Sequence, residues 1–222
     1  RQFNPNIAIF QNQISDLPPM RPDESFRRPV RLFFGALNRE ADWAPIMPHL
    51  NEALSRLRGA VHVQVVHDKD FYQALDTDHK KFQPTCDYDT YKQLLRESDV
   101  ALLPLSDTPS NRLKSDLKFI ECAAHGVAVI ASPVVYQKTL EHGKTGLLCA
   151  EPAHFADRLI ALVINGGLRR QLTENAYKYV QEHRLLEPQV DRRIDWYRNL
   201  YRHRAQLTDA LRQRTPEIAD RL

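Results

Sequence analysis

The chain has 222 residues, of which 42% are hydrophobic and 27% charged, and its formal net charge is +3. That length can bury a sizeable core in one large or two small domains, and the near-balanced charge gives nucleic acid no general attraction, so none is expected as a partner. The longest apolar run, residues 127–135, is broken by Ser132 and Pro133 and falls short of the roughly 20 residues that a membrane span needs. The chain opens at Arg1 on a polar stretch with no signal-peptide pattern, and the missing initiator Met fits a piece cut from a longer protein. Its three cysteines, Cys86, Cys122 and Cys149, are odd in number and widely spaced. Cys122 and Cys149 sit in apolar contexts as small core residues, and no closely paired Cys/His set offers a zinc site. Reduced thiols place the protein in the cytoplasm.

In chain order, Ile7-Ala8-Ile9-Phe10 predicts a short opening strand, followed by a Pro-rich linker through Leu17-Pro18-Pro19-Met20-Arg21-Pro22. Residues 30–35 (VRLFFG) form a strand ending at a glycine. Residues 41–57 place Trp43, Ile46, Met47, Leu50, Leu54 and Leu57 on one helical face. Residues 61–66 are a β-branched strand, 87–96 a short helix opened by Asp87 as its cap, and 100–105 (VALLPL) a continuous apolar strand. A helix over 115–124, strands over 127–131 and 145–150, and helices over 152–164, 168–183 and 188–213 complete the pattern. Strands that alternate with helices imply parallel βαβ units, and strands apolar throughout imply a sheet covered on both faces. The expected fold is therefore α/β, a doubly wound, Rossmann-like parallel sheet. Three segments are expected: a lead-in and linker over 1–29, the Rossmann-like domain over 30–184, and a helical extension over 185–222.

In an open parallel sheet, ligands bind beyond the carboxyl ends of the strands, which directs attention to the loops after Gly35, His67, Leu105 and Ser132. The loop 106–115 (SDTPSNRLKS) is polar and basic and opens into a helix, a ready site for an anion. Ser115 is the expected N-cap with Lys118 at N3, Lys114 adds positive charge, and Lys118 and Glu121 share a helix face. The bland alternative is a capped surface helix with an ordinary Lys/Glu pair, and the residues alone leave both open.

The segment 118–132 (KFIECAAHGVAVIAS) resembles the signature of glycosyltransferases of the GT-B fold: a Lys, two apolar residues, Glu, a small-residue run, Gly, then a strand ending in Ser or Thr. Segments 97–104 (ESDVALLP) and 142–148 (HGKTGLL) resemble that family's flanking strands, and Ile9-Phe10-Gln11-Asn12 resembles the opening of its C-terminal domain. The resemblance covers about residues 7–183, and four motifs stand in the right order.

It implies the C-terminal, nucleotide-sugar-binding half of a GT-B enzyme of the group 1 type, which binds a nucleoside-diphosphate sugar as donor substrate with no cofactor. No metal is expected, because the diphosphate-facing loops are basic and the nearest Asp-x-Asp, residues 87–89, opens a helix. It implies that Glu121 accepts from the ribose hydroxyls, that the backbone at Ser115 and Asp116 receives the diphosphate, and that Gly35 lets the first loop, with Asn38, approach it. Phe82 falls where the base-contacting loop is expected. The resemblance also suggests retention of anomeric configuration. Many relatives carry an acid eight positions before the ribose-binding Glu and cations after the first-loop glycine; here those positions are Leu113, Ala36 and Ala41. Arg39, Arg112 and Lys114 are then the expected diphosphate cations.

The implied partner is an N-terminal acceptor-binding domain of the same chain. The last helix carries an apolar stripe, Ile194, Tyr197, Leu200, Tyr201, Leu207 and Leu211, which is either a vacated interface with that half or core packing. The basic residues from Arg184 to Arg204 read as a solvated helix face, with a surface for an anionic membrane or nucleic acid as the other reading. His67 is a site candidate because it ends a strand, whereas His125 suits a helix C-terminus. A dinucleotide oxidoreductase would need G-x-G-x-x-G, which the seven glycines never form, and no Walker A loop occurs. A binding domain that keeps the fold without donor binding is the competing function.

Overall fold

The computed structural model describes residues 6–24 and 26–215. Six strands, β1 Val30–Gly35, β2 Val61–Val66, β3 Lys80–Gln83, β4 Val100–Leu103, β5 Ala128–Ala131 and β6 Leu147–Leu148, form one sheet in the order β3-β2-β1-β4-β5-β6. Every pairing is parallel. The helices are α1 Glu40–Trp43, α2 Met47–Leu57, α3 Lys69–Ala74, α4 Tyr88–Arg96, α5 Pro109–Arg112, α6 Leu117–Ala124, α7 Pro133–Tyr136, α8 Pro152–Ile164, α9 Gly166–His183, α10 Val190–Arg202 and α11 Arg204–Arg214. The doubly wound expectation holds. The chain builds outward from β1 to β3 and returns to lay β4 against the other side of β1, which puts the topological switch point between β1 and β4.

Alternation along β1 feeds both faces of the sheet. Val30, Leu32 and Phe34 join a cluster with Leu50 and Leu54 of α2 and Phe155 and Leu159 of α8. Phe33 points the other way and meets Tyr91 of α4 edge-on, with ring centroids 5.6 Å apart. No helix among the described residues is long and apolar enough to cross a membrane.

Several elements differ from expectation. The run Ile7–Phe10 is not a strand, because a strand persists only when a neighbour accepts its ladder, and this segment pairs with none of the six. The helix expected over 41–57 is split by a 3-10 turn, Ala44–Ile46, with Pro45 and Pro48 each at a helical first turn, where a missing N–H costs no bond. The helix expected from Ser115 starts two residues later, at Leu117. The long final helix breaks at His203, whose Nδ1 lies 2.9 Å from the Asn199 carbonyl oxygen at the end of α10. Edge strand β3 (KKFQ) was missed because only Phe82 in it is apolar. The short helices α3, α5 and α7 lack enough turns to show a period.

The contacts divide the chain into two compact units. The larger, Asn12–Arg184, holds the sheet and includes residues 12–29, which lie along it: Tyr177 donates to the Pro18 carbonyl at 2.8 Å and the Ile14 N–H to the Arg184 carbonyl at 2.8 Å. The smaller unit pairs the opening residues with α10 and α11. Within it, the Arg192 and Arg193 guanidinium groups lie 5.9 and 5.1 Å from the Phe10 ring. No residue of α10 or α11 is buried, so the apolar stripe does not disappear into a core.

Arg184, expected on a solvated face, is instead 1% exposed. Its guanidinium donates to both Asp116 oxygens at 2.6 and 2.8 Å and to the Asn12 carbonyl at 3.0 and 2.8 Å. Burial opposes the charge on Asp116, but the hydrogen bonds and charge of Arg184, joined by hydrogen bonds from Thr139 and the backbone, together outweigh it and hold the carboxyl below its usual value of 3.8. The pair's stabilisation is therefore full above the ordinary carboxylate range and is lost as pH falls through the lowered folded value. Replacing Arg184 by Met strands a half-buried carboxylate. R184M is expected to lose about 3–5 kcal/mol in urea denaturation at neutral pH, with a smaller loss in acid; equal stability at neutral pH would refute the assignment.

Candidate functional site

At the switch point lies a cavity of about 550 Å³, walled by the first loop (Ala36, Leu37, Arg39), the end of β4 (Leu103, Pro104, Leu105) and the start of α6 (Lys114, Ser115, Lys118). The first loop turns away at Gly35, where a Cβ would lie 2.7 Å from the Phe33 ring and 3.1 Å from that of Tyr91. Glycine is thus demanded by packing, which also brings the Gly35 carbonyl to the Lys118 ammonium that donates to it.

The N-cap of α6 is Asp116 rather than Ser115, which puts Lys118 in the first turn at N2, and no side chain caps the helix. The Ser115 hydroxyl accepts from Asn12 Nδ2 at 2.7 Å, and the Asp116 carboxylate faces Arg184. The positive end of the helix is left bare toward the cavity.

Three cations, Arg39, Lys114 and Lys118, line this cavity. Burial lowers the pKa of Lys118; Cys122 and Glu121 on the same helix pull it back up, while Arg39 and Lys114 add smaller repulsions. Burial and the charge of Arg39 likewise lower Lys114, against the pull of Asp42. Like charges held this close store repulsion that an anion would relieve.

Buried Asp42 holds the arrangement. It accepts from the Ser106 N–H at 2.9 Å and Asn111 Nδ2 at 2.7 Å, and its other oxygen lies 3.6 Å from Arg39 and 3.9 Å from Lys114. Lys114 also donates to the Asn111 amide oxygen. Asp42 was not legible as a site residue, since on a helix pattern it reads as one more polar position.

Glu121 lies one turn beyond Lys118 on α6 and is buried, and burial raises its pKa. The Tyr88 hydroxyl donates to its Oε1 at 2.7 Å. That contact was not anticipated either, because it joins two helices across a sequence separation of 33 residues.

Neither Glu121 nor Tyr88 lines the cavity, and the remaining predicted residues are placed apart from it as well. Arg112 pairs with Asp107 at 2.6 and 2.8 Å on the rim of an adjoining cavity of about 770 Å³ and does not line the first. Asn38 is exposed at φ 54° and also lies off the cavity wall. Phe82 is in β3 rather than a loop, its ring 5.5 Å from that of Tyr72. His67, at φ 73°, accepts the Cys86 N–H on Nε2 at 3.4 Å and lies beside the Tyr91 ring. His125 is satisfied at its helix end, Nδ1 2.7 Å from the Glu121 carbonyl oxygen.

A doubly wound parallel sheet with a cation-lined crevice at its switch point defines a Rossmann-like domain. The chain belongs to the family described as glycosyl transferases group 1, whose profile matches residues 28–165. No curated protein sequence matches it. Among solved structures, the C-terminal domain of LpcC, a glycosyl transferase group 1 family protein from Francisella tularensis, is 19% identical with a TM-score of 0.58, the match covering 71% of this chain and 86% of that one. HepE from Anabaena, in complex with UDP and glucose, is 16% identical with a TM-score of 0.60, over 77% of this chain and 49% of HepE. The pneumococcal O-GlcNAc transferase GtfA, in complex with UDP and GlcNAc, is 15% identical with a TM-score of 0.63, over 86% and 38%. This chain spans less than half the length of the latter two. At these identities the likeness is one of fold.

If Asp42 organises the cavity wall, its loss must be felt at Ser106 and Asn111. D42A is expected to cost about 1–3 kcal/mol of stability and to speed amide exchange at Ser106 selectively. Unchanged exchange there would show that the loop is held by something else.

Proposed function

We propose that this chain is the donor-binding half of a glycosyltransferase, holding the nucleoside-diphosphate part of a sugar donor at the α6 N-terminus. The observation that carries this reading is the convergence of Arg39, Lys114 and Lys118 on one cavity beside an uncapped helix start. In the transfer, an acceptor hydroxyl oxygen forms the new bond to the anomeric carbon and loses its proton to a base. The bond from that carbon to the phosphate oxygen breaks, and the nucleoside diphosphate leaves with the electron pair. The cations and the helix dipole would stabilise the charge that develops on the leaving group. Glu121 would accept from the ribose, a task for an ionised carboxylate. The complexes of HepE with UDP and glucose and of GtfA with UDP and GlcNAc support this class of donor.

Calorimetric titration with UDP, GDP and dTDP tests the reading. Glu121→Ala is expected to weaken binding by about 1.5–3 kcal/mol. Burial raises the Glu121 pKa, so affinity should fall on acidification at a higher pH than an ordinary carboxylate near 4.5 would give, and E121Q should remove that step. Because the counter-charges are side chains, the titration should be unaffected by EDTA. Absence of saturable binding to every nucleotide would instead favour a scaffold that has kept the fold alone.

The same reading assigns acceptor binding and the catalytic base to an N-terminal half of a longer chain, and places the reaction in the cytoplasm or at its membrane surface. It is supported by the share of HepE and GtfA that this chain spans and by the exposed Tyr197 and Tyr201 of α10. Without a partner half to orient the acceptor, the benefit of proximity is lost. The isolated 222 residues should therefore bind nucleotide without turning over any donor–acceptor pair; sustained transfer by this segment alone would overturn the two-half assignment.

A further inference from the structure

Glu121 is the one carboxylate on the inner face of α6, yet it is only 6% exposed. A ligand hydroxyl cannot reach it until something moves. Tyr88, whose phenol donates to Oε1 at 2.7 Å, is by contrast 56% exposed as a residue. Tyr88 is the first residue of α4, and that helix end is closed independently by Asp87, whose side chain accepts from the Thr90 N–H at 2.7 Å. The Tyr88 ring can therefore turn outward without unwinding a turn of helix. Its ring contacts include a parallel arrangement with Tyr91 at 6.2 Å between centroids and the Lys92 ammonium 4.8 Å from the ring centre.

We propose that Tyr88 is a removable cover on the nucleotide site: in the free protein its hydroxyl fills the place on Glu121 that a ribose hydroxyl takes when a nucleoside diphosphate binds. The inference rests on the donor-site reading above. Binding then exchanges one neutral O–H donor for another on the same carboxylate oxygen, so no proton or charge is transferred. The closed cover lowers the apparent affinity by the fraction of molecules in which it is open. It also explains how a carboxylate can wait in a buried place: with the phenol hydrogen bond made, Glu121 is never without a donor. Tyr88 itself, pushed up to about 12 by burial and by Glu121, remains protonated at neutral pH and so remains a donor.

The groups facing Glu121 are Lys118 and Cys122 on its own helix and Tyr88 and Tyr91 on α4. Lys118 donates to Gly35 instead, which leaves the phenol as the hydroxyl donor to the carboxylate. In the nucleotide-free chain, Tyr88→Phe removes that donor, so the carboxyl titration followed by its carbon chemical shift should move to higher pH. An unmoved midpoint would show that the hydrogen bond is not made in solution and would end the proposal.

With UDP, GDP or dTDP, whichever binds the unsubstituted chain most tightly, Y88F is expected to bind about three- to tenfold more tightly and to associate faster. Y88A, which removes the ring as well, should gain at least as much, with thermal unfolding confirming that both variants fold. Weaker or unchanged binding by both variants would overturn the cover and make Tyr88 a supporting contact of the bound state. Equal affinity of E121A and the unsubstituted chain is a different result: it would fail the donor-site reading itself.

Discussion

A guanidinium carries five N–H donors and no acceptor, so burying one demands oxygens on several sides. Arg184 finds them on Asn12 and Asp116, residues far apart in sequence, and the geometry of the site depends on that demand. Because Asp116 is committed to Arg184, its carboxylate cannot fold back to cap α6, and Ser115 is committed to Asn12. The helix that faces the crevice therefore begins with unsatisfied N–H groups. One ion pair at the end of α9 thus determines what the beginning of α6 can offer a ligand.

The crevice itself is an unbalanced charge arrangement held in place by neutral scaffolding. Asp42 opposes two of the three cations at distances of 3.6 and 3.9 Å, too long for close pairs, and spends its short hydrogen bonds on Ser106 and Asn111. Lys118 is tethered by a backbone carbonyl rather than by a carboxylate. Positive charge is thereby positioned without being neutralised, the condition under which preorganised groups act most strongly on an anion. Glu121, one turn further along α6, feels the charge of Lys118, but its hydrogen bond comes from a phenol.

Much of this was legible in the sequence. The strands at 100–105 and 127–131 were found because buried parallel strands are apolar throughout, and that at 61–66 because it is rich in β-branched residues. Helices 87–96 and 152–164 were found because caps and prolines mark their starts. Lys118 and Glu121 were singled out by spacing on one helix, and Lys114 and Arg39 by position in loops at the strand ends. What failed was of a different kind. β3 is an edge strand of polar composition, Ile7–Phe10 had apolar content without a partner, and the split at Ala44–Ile46 is a local proline effect inside a convincing period.

The sequence by itself determined the doubly wound class, the strand-end loops where a ligand crevice is expected and the helix that follows one of them, because hydrophobic periodicity and the alternation of βαβ units act locally and repeat. It could not say which charged residue would be buried. Arg184 read as a solvated cation and is instead buried, while Arg112 read as a site cation and pairs with Asp107 away from the first cavity. Nor could it pair Tyr88 with Glu121 or Asp42 with Asn111. Those contacts join segments separated by 33 and 69 residues. Hydrogen bonds of a few ångströms reach are decided only after the sheet has brought their elements together.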